Sequence, residues 1–167
     1  MTLTLILTRH AKSSWNDPTL DDFDRSLSGR GRKSAPLIGQ WLIERGHVPE
    51  VVVASGARRT VETWEGMASA MPEATVLEHN TALFHAGAGT ILEVLREQAA
   101  ARVMLIGHNP GFADFANRIV VQPPRHDRFN DYPTAATAVI EFERESWAQV
   151  RWGSGRILDF VVPRELK

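Results

Sequence analysis

The 167-residue sequence predicts an α/β fold: a three-layer sandwich whose mostly parallel sheet carries helices on both faces, with antiparallel strands toward the C-terminus. Two observations predict it. Over roughly the first 120 residues short apolar runs alternate with longer amphipathic stretches, the signature of strand-helix units that bury a parallel sheet between helices. The tail changes character, with short apolar runs split by Gly153-Ser154-Gly155, as in hairpin-connected strands. Residues 1–167 read as a single domain, a length that supports one hydrophobic core without staples.

The elements follow in order. Leu3 to Leu7 is a short, fully apolar strand that runs out into Thr8-Arg9-His10-Ala11. A polar loop, Lys12 to Arg25, is broken by Asp17-Pro18. A helix follows from about Ser28, a good N-cap, with Ile38, Trp41 and Leu42 on one face and Gly46 ending it. Pro36 marks either a kink or a later helix start. The second strand, Val51 to Ala54, leads through Ser55 and Arg58-Arg59 to a helix whose Val61, Trp64, Ala68 and Met71 recur at helical spacing, and Pro72 stops it. Thr75 to Glu78 is a third strand and Thr90 to Ala100 a third helix with Ile91, Leu92 and Leu95 inside. Strand four, Val103 to Ile106, exits through Gly107-His108-Asn109-Pro110. There Asn109 caps a helix with Pro110 at its first position and Phe112, Phe115, Ala116 and Ile119 on its inner face. Gln122 to Pro133 is a polar loop, and Ala138 to Phe142, Ala148 to Trp152 and Ile157 to Val162 are the tail strands.

Composition narrows the function. A formal net charge of −1 argues against binding nucleic acid or anionic lipid through bulk charge, so no nucleic-acid partner is expected. No stretch approaches the roughly 20 apolar residues of a membrane span, and the chain opens on a strand without a charged leader; the expectation is a cytoplasmic protein with no membrane contact. With no cysteine, disulfides and thiolate chemistry are excluded.

Three strand exits carry His10, Arg59 and His108, and in wound sheets such ends converge on the ligand. A single Arg-His pair after a strand is ordinarily structural; three polar exits together read as a phosphate site. Arginine forks hold phosphoryl oxygens in pairs, and an unprotonated imidazole can attack phosphorus without a metal. A second imidazole, protonated, can donate to oxygens that gain charge.

The residues Arg9-His10, Ser55-x-Ala57-x-Arg59-x-x-x-Thr63 and Gly107-His108-Asn109-Pro110 resemble the histidine phosphatase superfamily, which includes phosphoglycerate mutases and SixA-type phosphohistidine phosphatases. Lys12-Ser13-Ser14-Trp15, Asp24-Arg25-x-Leu27-Ser28-x-Arg30-Gly31 and Leu83-Phe84-His85-Ala86 are similar to the SixA-type branch. The resemblance covers about residues 3–142. It implies a phosphoglycerate mutase-like sandwich, His10 as the nucleophile, Arg9 and Arg59 on the phosphoryl oxygens and His108 as the second imidazole. Asn16 matches an asparagine that helps hold phosphate in the mutase branch. No cofactor or metal is implied; the partner is a protein carrying phosphohistidine, or a small phosphorylated metabolite.

Two positions depart from the family pattern. Ala11 stands where a glycine is usual, which negative φ would permit. His85 stands near where ester phosphatases place a carboxylic acid. The candidate proton donors are therefore His85, Asp22 and Asp24. A phosphohistidine leaves as neutral imidazole once its far nitrogen is protonated, so a site without a carboxylic acid suits P–N cleavage better than ester cleavage. Three other readings compete: a phosphomonoesterase or mutase of the same superfamily, a metal hydrolase using His10, Asp22, Asp24 and His108, and a non-catalytic phosphate-binding module. Gly29-x-Gly31 follows a polar loop and lacks phosphate-loop spacing, and no dinucleotide fingerprint follows the first strand. Arg58 reads as a solvated charge, the five tryptophans as core or helix-face residues with Trp15 able to rim the site, and His47, His79 and His126 as surface loop residues.

Overall fold

The computed structural model describes residues 2–72 and 75–167. Its strands are β1 (Thr2–Arg9), β2 (Val51–Ala54), β3 (Val76–His79), β4 (Arg102–Gly107), β5 (Thr137–Glu143) and β6 (Arg156–Val161). They form a six-stranded sheet in the order β3-β2-β4-β1-β5-β6. The first four run parallel, while β5 pairs antiparallel with β1 and β6 antiparallel with β5. Between them lie α1 (Gly29–Glu44), α2 (Arg58–Ala68), α3 (Ala88–Arg96) and α4 (Gly111–Ile119).

Strand alternation sorts the side chains into two cores. Leu3, Leu5 and Leu7 of β1 point with Val103 and Leu105 into a core closed by Ile91 and Leu95 of α3 and Phe112 and Phe115 of α4. Ile6 faces the other way with Val52, Met104 and Val139, under Ile38 and Leu42 of α1 and Trp64 and Met67 of α2. The central strands are apolar on both faces because both are covered.

Sequence expectations hold for most elements. Ser28 caps α1, its side chain accepting from the Gly31 N–H, and Gly46 follows the helix with φ +75°. The helix runs through Pro36, because α1 lies tight on α2. A Cβ at Gly39 would stand 2.7 Å from the Met67 carbonyl oxygen, and one at Gly66 2.7 Å from Ala35 Cβ. That packing outweighs the backbone hydrogen bond lost at proline.

Three expectations are corrected. Pro110 is not the first residue of α4; it precedes the helix, joined to Asn109 by a cis bond. Asn109 nonetheless reaches the helix, its Oδ1 accepting from the Ala113 N–H. Ala148 to Trp152 is not a strand. Trp147 is buried beside Phe142 and donates its indole N–H to the Ala100 carbonyl, and that anchorage folds Trp147–Gln149 into a 3-10 turn. The third helix also begins two residues earlier and ends sooner than expected, at Ala88 and Arg96.

Candidate active site

The sheet order makes β2, β4 and β1 neighbours, so the three polar exits leave side by side. Arg9 pairs with Gly107 in register, and the next residue of each strand is a histidine. His10 and His108 therefore leave the sheet at one level, with ring centroids 5.3 Å apart. Adjacent strands lie about 4.8 Å apart, so the pairing alone nearly sets this distance.

Backbone bonds fix the exits. The His10 N–H donates to the Gly107 carbonyl, and the His10 carbonyl accepts from Ala135. Thr63, one helical turn beyond Arg59, accepts from the Ala11 N–H and donates to the Arg59 carbonyl. The Arg59-x-x-x-Thr63 spacing thus ties β1 to α2. Ala11 is fully buried and is not among the non-glycine residues with positive φ, so its methyl costs nothing there.

The two imidazoles are held in different tautomers. His10 Nδ1 lies 2.7 Å from the Ala11 carbonyl oxygen and must donate to it, which leaves Nε2 as the nitrogen with a lone pair. Arg59 donates to His108 Nδ1 at 3.2 Å, so in the neutral ring Nε2 carries the hydrogen, given to Ser55 Oγ at 2.7 Å. Burial, then neighbouring guanidinium groups, lowers the His10 pKa to about 3. Burial, then His10 and Arg59, lowers that of His108 to about 3. Both rings are neutral at physiological pH.

Arg9 and Arg59 flank the rings. Arg9 gives Nη1 to the Tyr132 carbonyl, and Arg59 spans the Asp22 carbonyl and carboxylate. The Nε of each arginine is buried without a hydrogen-bond partner among the described residues. Such donors are costly unless a ligand meets them. Burial lowers the pKa of both guanidinium groups without approaching neutrality at physiological pH.

The cleft holds about 220 Å³, and besides these four residues its walls include Asp22, His85 and Trp15. Asp22 accepts from Arg25 at 2.6 Å, Arg59 at 3.0 Å and His85 at 3.0 Å. Burial opposes its charge, but the Arg25 hydrogen bond and the Arg59 charge outweigh it and lower the pKa to about 2. Of the candidate proton donors, Asp22 is therefore an anion, and Asp24 is exposed and outside the cleft. His85 lines the cleft with its ring stacked on Phe84, held at φ +55°, a conformation a non-glycine residue adopts at a cost. Asn16 is exposed and does not line the cleft; only its backbone N–H is engaged, by Ser14 Oγ. Arg58 is exposed and pairs with Glu62. His47 and His126 are half-buried instead of free on the surface, paired with Asp159 and Glu165.

Two residues to which the sequence assigned no role support the site: Arg25, quoted there only within a motif, lines the cleft, and Tyr132 stands behind it. Arg25 is buried and engages Ser14, Asp22 and Ser13. Tyr132, the chain's one tyrosine, sends its hydroxyl to the Leu7 carbonyl while its own carbonyl receives Arg9 and Asn109. A lone tyrosine in a polar loop was the available signal. Among the described residues, no group of three or more His, Asp or Glu is arranged to hold a metal ion.

Comparisons with known proteins bear on this geometry. A family model described as the histidine phosphatase superfamily (branch 1) matches residues 5–83. An uncharacterized chloroplastic protein of Arabidopsis thaliana is 33% identical over 128 residues, 69% of this chain and 58% of the plant protein, so the match spans less than two thirds of that relative. An uncharacterized Mycobacterium tuberculosis protein is 29% identical over 165 residues, covering 93% of this chain and 99% of the relative. The crystal structure of a candidate phosphohistidine phosphatase SixA from Agrobacterium tumefaciens superposes with a TM-score of 0.78 at 27% identity, over 96% of this chain and 98% of that one.

Proposed function

The chain belongs to the histidine phosphatase superfamily, on its SixA-type side, and from that premise we propose a metal-independent phosphatase that forms a covalent phosphohistidine on His10 and takes phosphohistidine on a protein as its substrate. The observation that carries the reading is the His10 tautomer. With Nδ1 given to the Ala11 carbonyl, the free lone pair sits on Nε2, in a cleft shared with Arg9, Arg59 and His108.

The reaction follows from that arrangement. The phosphoryl oxygens take guanidinium N–H groups of Arg9 and Arg59, both of which line the cleft. His10 Nε2 attacks phosphorus in line; the new P–N bond forms as the substrate's P–N bond breaks, and the imidazole departs neutral with its far nitrogen already protonated. The anion draws a proton onto His108 Nδ1, which donates to an oxygen as charge builds. Water then attacks the phosphoenzyme, and the bond electrons return to His10 Nε2. His85 lines the cleft with Nε2 engaged by Asp22, which leaves Nδ1 to take the water's proton and pass it to the departing phosphate. The absence of a neutral carboxylic acid in the cleft, Asp22 being ionised, supports P–N over ester cleavage.

The test is brief exposure to a ³²P-phosphohistidine protein, followed by an alkaline quench. Label retained by the wild type, acid-labile and absent from His10→Ala, is the expected result; turnover by His10→Ala would remove the nucleophile assignment. Phosphoserine, sugar phosphates and phosphoglycerates in parallel separate this reading from a small-molecule phosphomonoesterase, in which His85 would protonate the leaving alkoxide.

A further inference from the structure

Trp15 is 73% exposed, whereas Trp41, Trp64 and Trp147 are buried and Trp152 half-buried. It also lines the cleft that holds both histidines. Its ring is not loose. The Arg25 guanidinium carbon lies 3.2 Å from the ring centroid, so one face of the indole rests on a cation. Arg25 is itself 7% exposed and uses each of its nitrogens: Nε on the Ser14 carbonyl, Nη1 on Asp22 and Nη2 on Ser13 Oγ. The segment beneath is pinned twice more, by an antiparallel bridge between Ser13 and Leu27 and by the Lys12 carbonyl, which accepts from both the N–H and the hydroxyl of Ser28.

A single exposed apolar side chain is ordinary; what sets Trp15 apart is that its ring is both fixed on Arg25 and part of the cleft wall. Arg25 occupies one face, and the other is open at the mouth of an anion-binding cleft. The anion itself needs nothing from an indole; whatever is attached to the anion does. A flat π-system is the partner an indole face prefers, and a planar cation gains further from the ring's negative face.

We propose that Trp15, stacked on Arg25, is a specificity platform that receives the planar leaving group of the phosphorylated substrate and selects aromatic and heteroaromatic phosphoryl donors over aliphatic ones. Resting on the proposed phosphatase reading, it narrows the substrate class at that site: imidazole-borne phosphate is favoured over phosphate on a lysine amine, although both carry a P–N bond. Arg25 is a positioning residue in this account, and its ion pair with Asp22, shared with Arg59, offsets part of the positive charge behind the indole.

Four substrates separate the effects: phosphohistidine and phospholysine as P–N donors, phenyl phosphate and glycerol 2-phosphate as esters. Values of kcat/KM report the phosphorylation half-reaction, in which the leaving group is present. Trp15→Leu is expected to lower kcat/KM about tenfold for phosphohistidine and phenyl phosphate, and to leave phospholysine and glycerol 2-phosphate within about twofold. Trp15→Phe should retain most of the preference. Binding of inorganic phosphate, which has no leaving group, should be the same in wild type and Trp15→Leu. A loss shared by all four substrates, or no loss with any, overturns the platform, as does a weakened phosphate affinity. A wild type that turns over esters but neither P–N donor would defeat the phosphohistidine reading instead, and the phenyl-to-glycerol comparison would still judge Trp15.

Discussion

Two neutral imidazoles in one cleft look redundant until their hydrogen bonds are followed. His10 is locked with a bare Nε2, while His108 is locked through Ser55 with Nδ1 toward Arg59. An arriving oxyanion competes for Arg59 and gives His108 Nδ1 a reason to be protonated. We therefore expect proton uptake when phosphate binds at pH 7, measurable by titration calorimetry in buffers of different ionisation enthalpy; heats independent of the buffer would contradict it. Arg59→Ala should lower kcat/KM at least about 100-fold, the range for losing a charge-stabilising donor. A loss below tenfold would shift the phosphoryl contact to Arg9. That these four residues share one cleft was legible in the sequence, because Arg9, His10 and His108 stand at or just past the ends of apolar strands and Arg59 lies in the first turn of the helix after another. Asn16, expected at the phosphate, lies outside the cleft for the opposite reason. The loop from Lys12 to Leu27 has no period to say which side chain faces inward, and its shape is set by Arg25, whose contacts reach Ser13, Ser14 and Asp22 at irregular spacing.

At the scale of elements, the site depends on how α1 and α2 grip the end of β1. Thr63 satisfies the buried Ala11 N–H, and no apolar side chain can replace it. Thr63→Val keeps the shape and orphans that donor, so a loss of about 1–3 kcal/mol in urea unfolding is expected, with a fall in activity in the still-folded fraction. Unchanged stability would mean that the exit is held otherwise. Gly31 plays a matching part from α1, since a Cβ there would stand 2.1 Å from the Lys12 carbonyl oxygen. Periodicity announced α1, α2 and α4 because their buried faces repeat at helical spacing. It misread the stretch around Ala148, where apolar residues suggested a strand but a long-range bond from Trp147 to Ala100 dictates a turn. A contact between residues so far apart in the chain leaves no local pattern.

The whole molecule carries the histidines' burial as a dependence on acid. Each ring has a folded pKa near 3 against about 6.5 when unfolded, so the unfolded chain binds more protons between those values. Their stabilisation is complete above pH 6.5 and is lost as pH falls toward 3. At pH 5 each ring should cost about 2 kcal/mol relative to pH 8. Asp22, lowered to about 2, adds a further loss only below its unfolded value of 3.8. Urea midpoints at pH 8 and 5 check this, with the double variant His10→Gln, His108→Gln expected to show a much smaller drop; equal midpoints for the wild type would refute it. The alternation of apolar runs made the layered architecture legible, whereas the strand order, which sets β4 between β1 and β2, was not written in any local segment. That order has one last effect. Because Arg9 and Gly107 stand opposite each other, the gap between the two rings follows the spacing of neighbouring strands, and no loop has to measure it. Descendants of this chain are free to gain or shed residues in the crossovers while the spacing between the two histidines stays as it was.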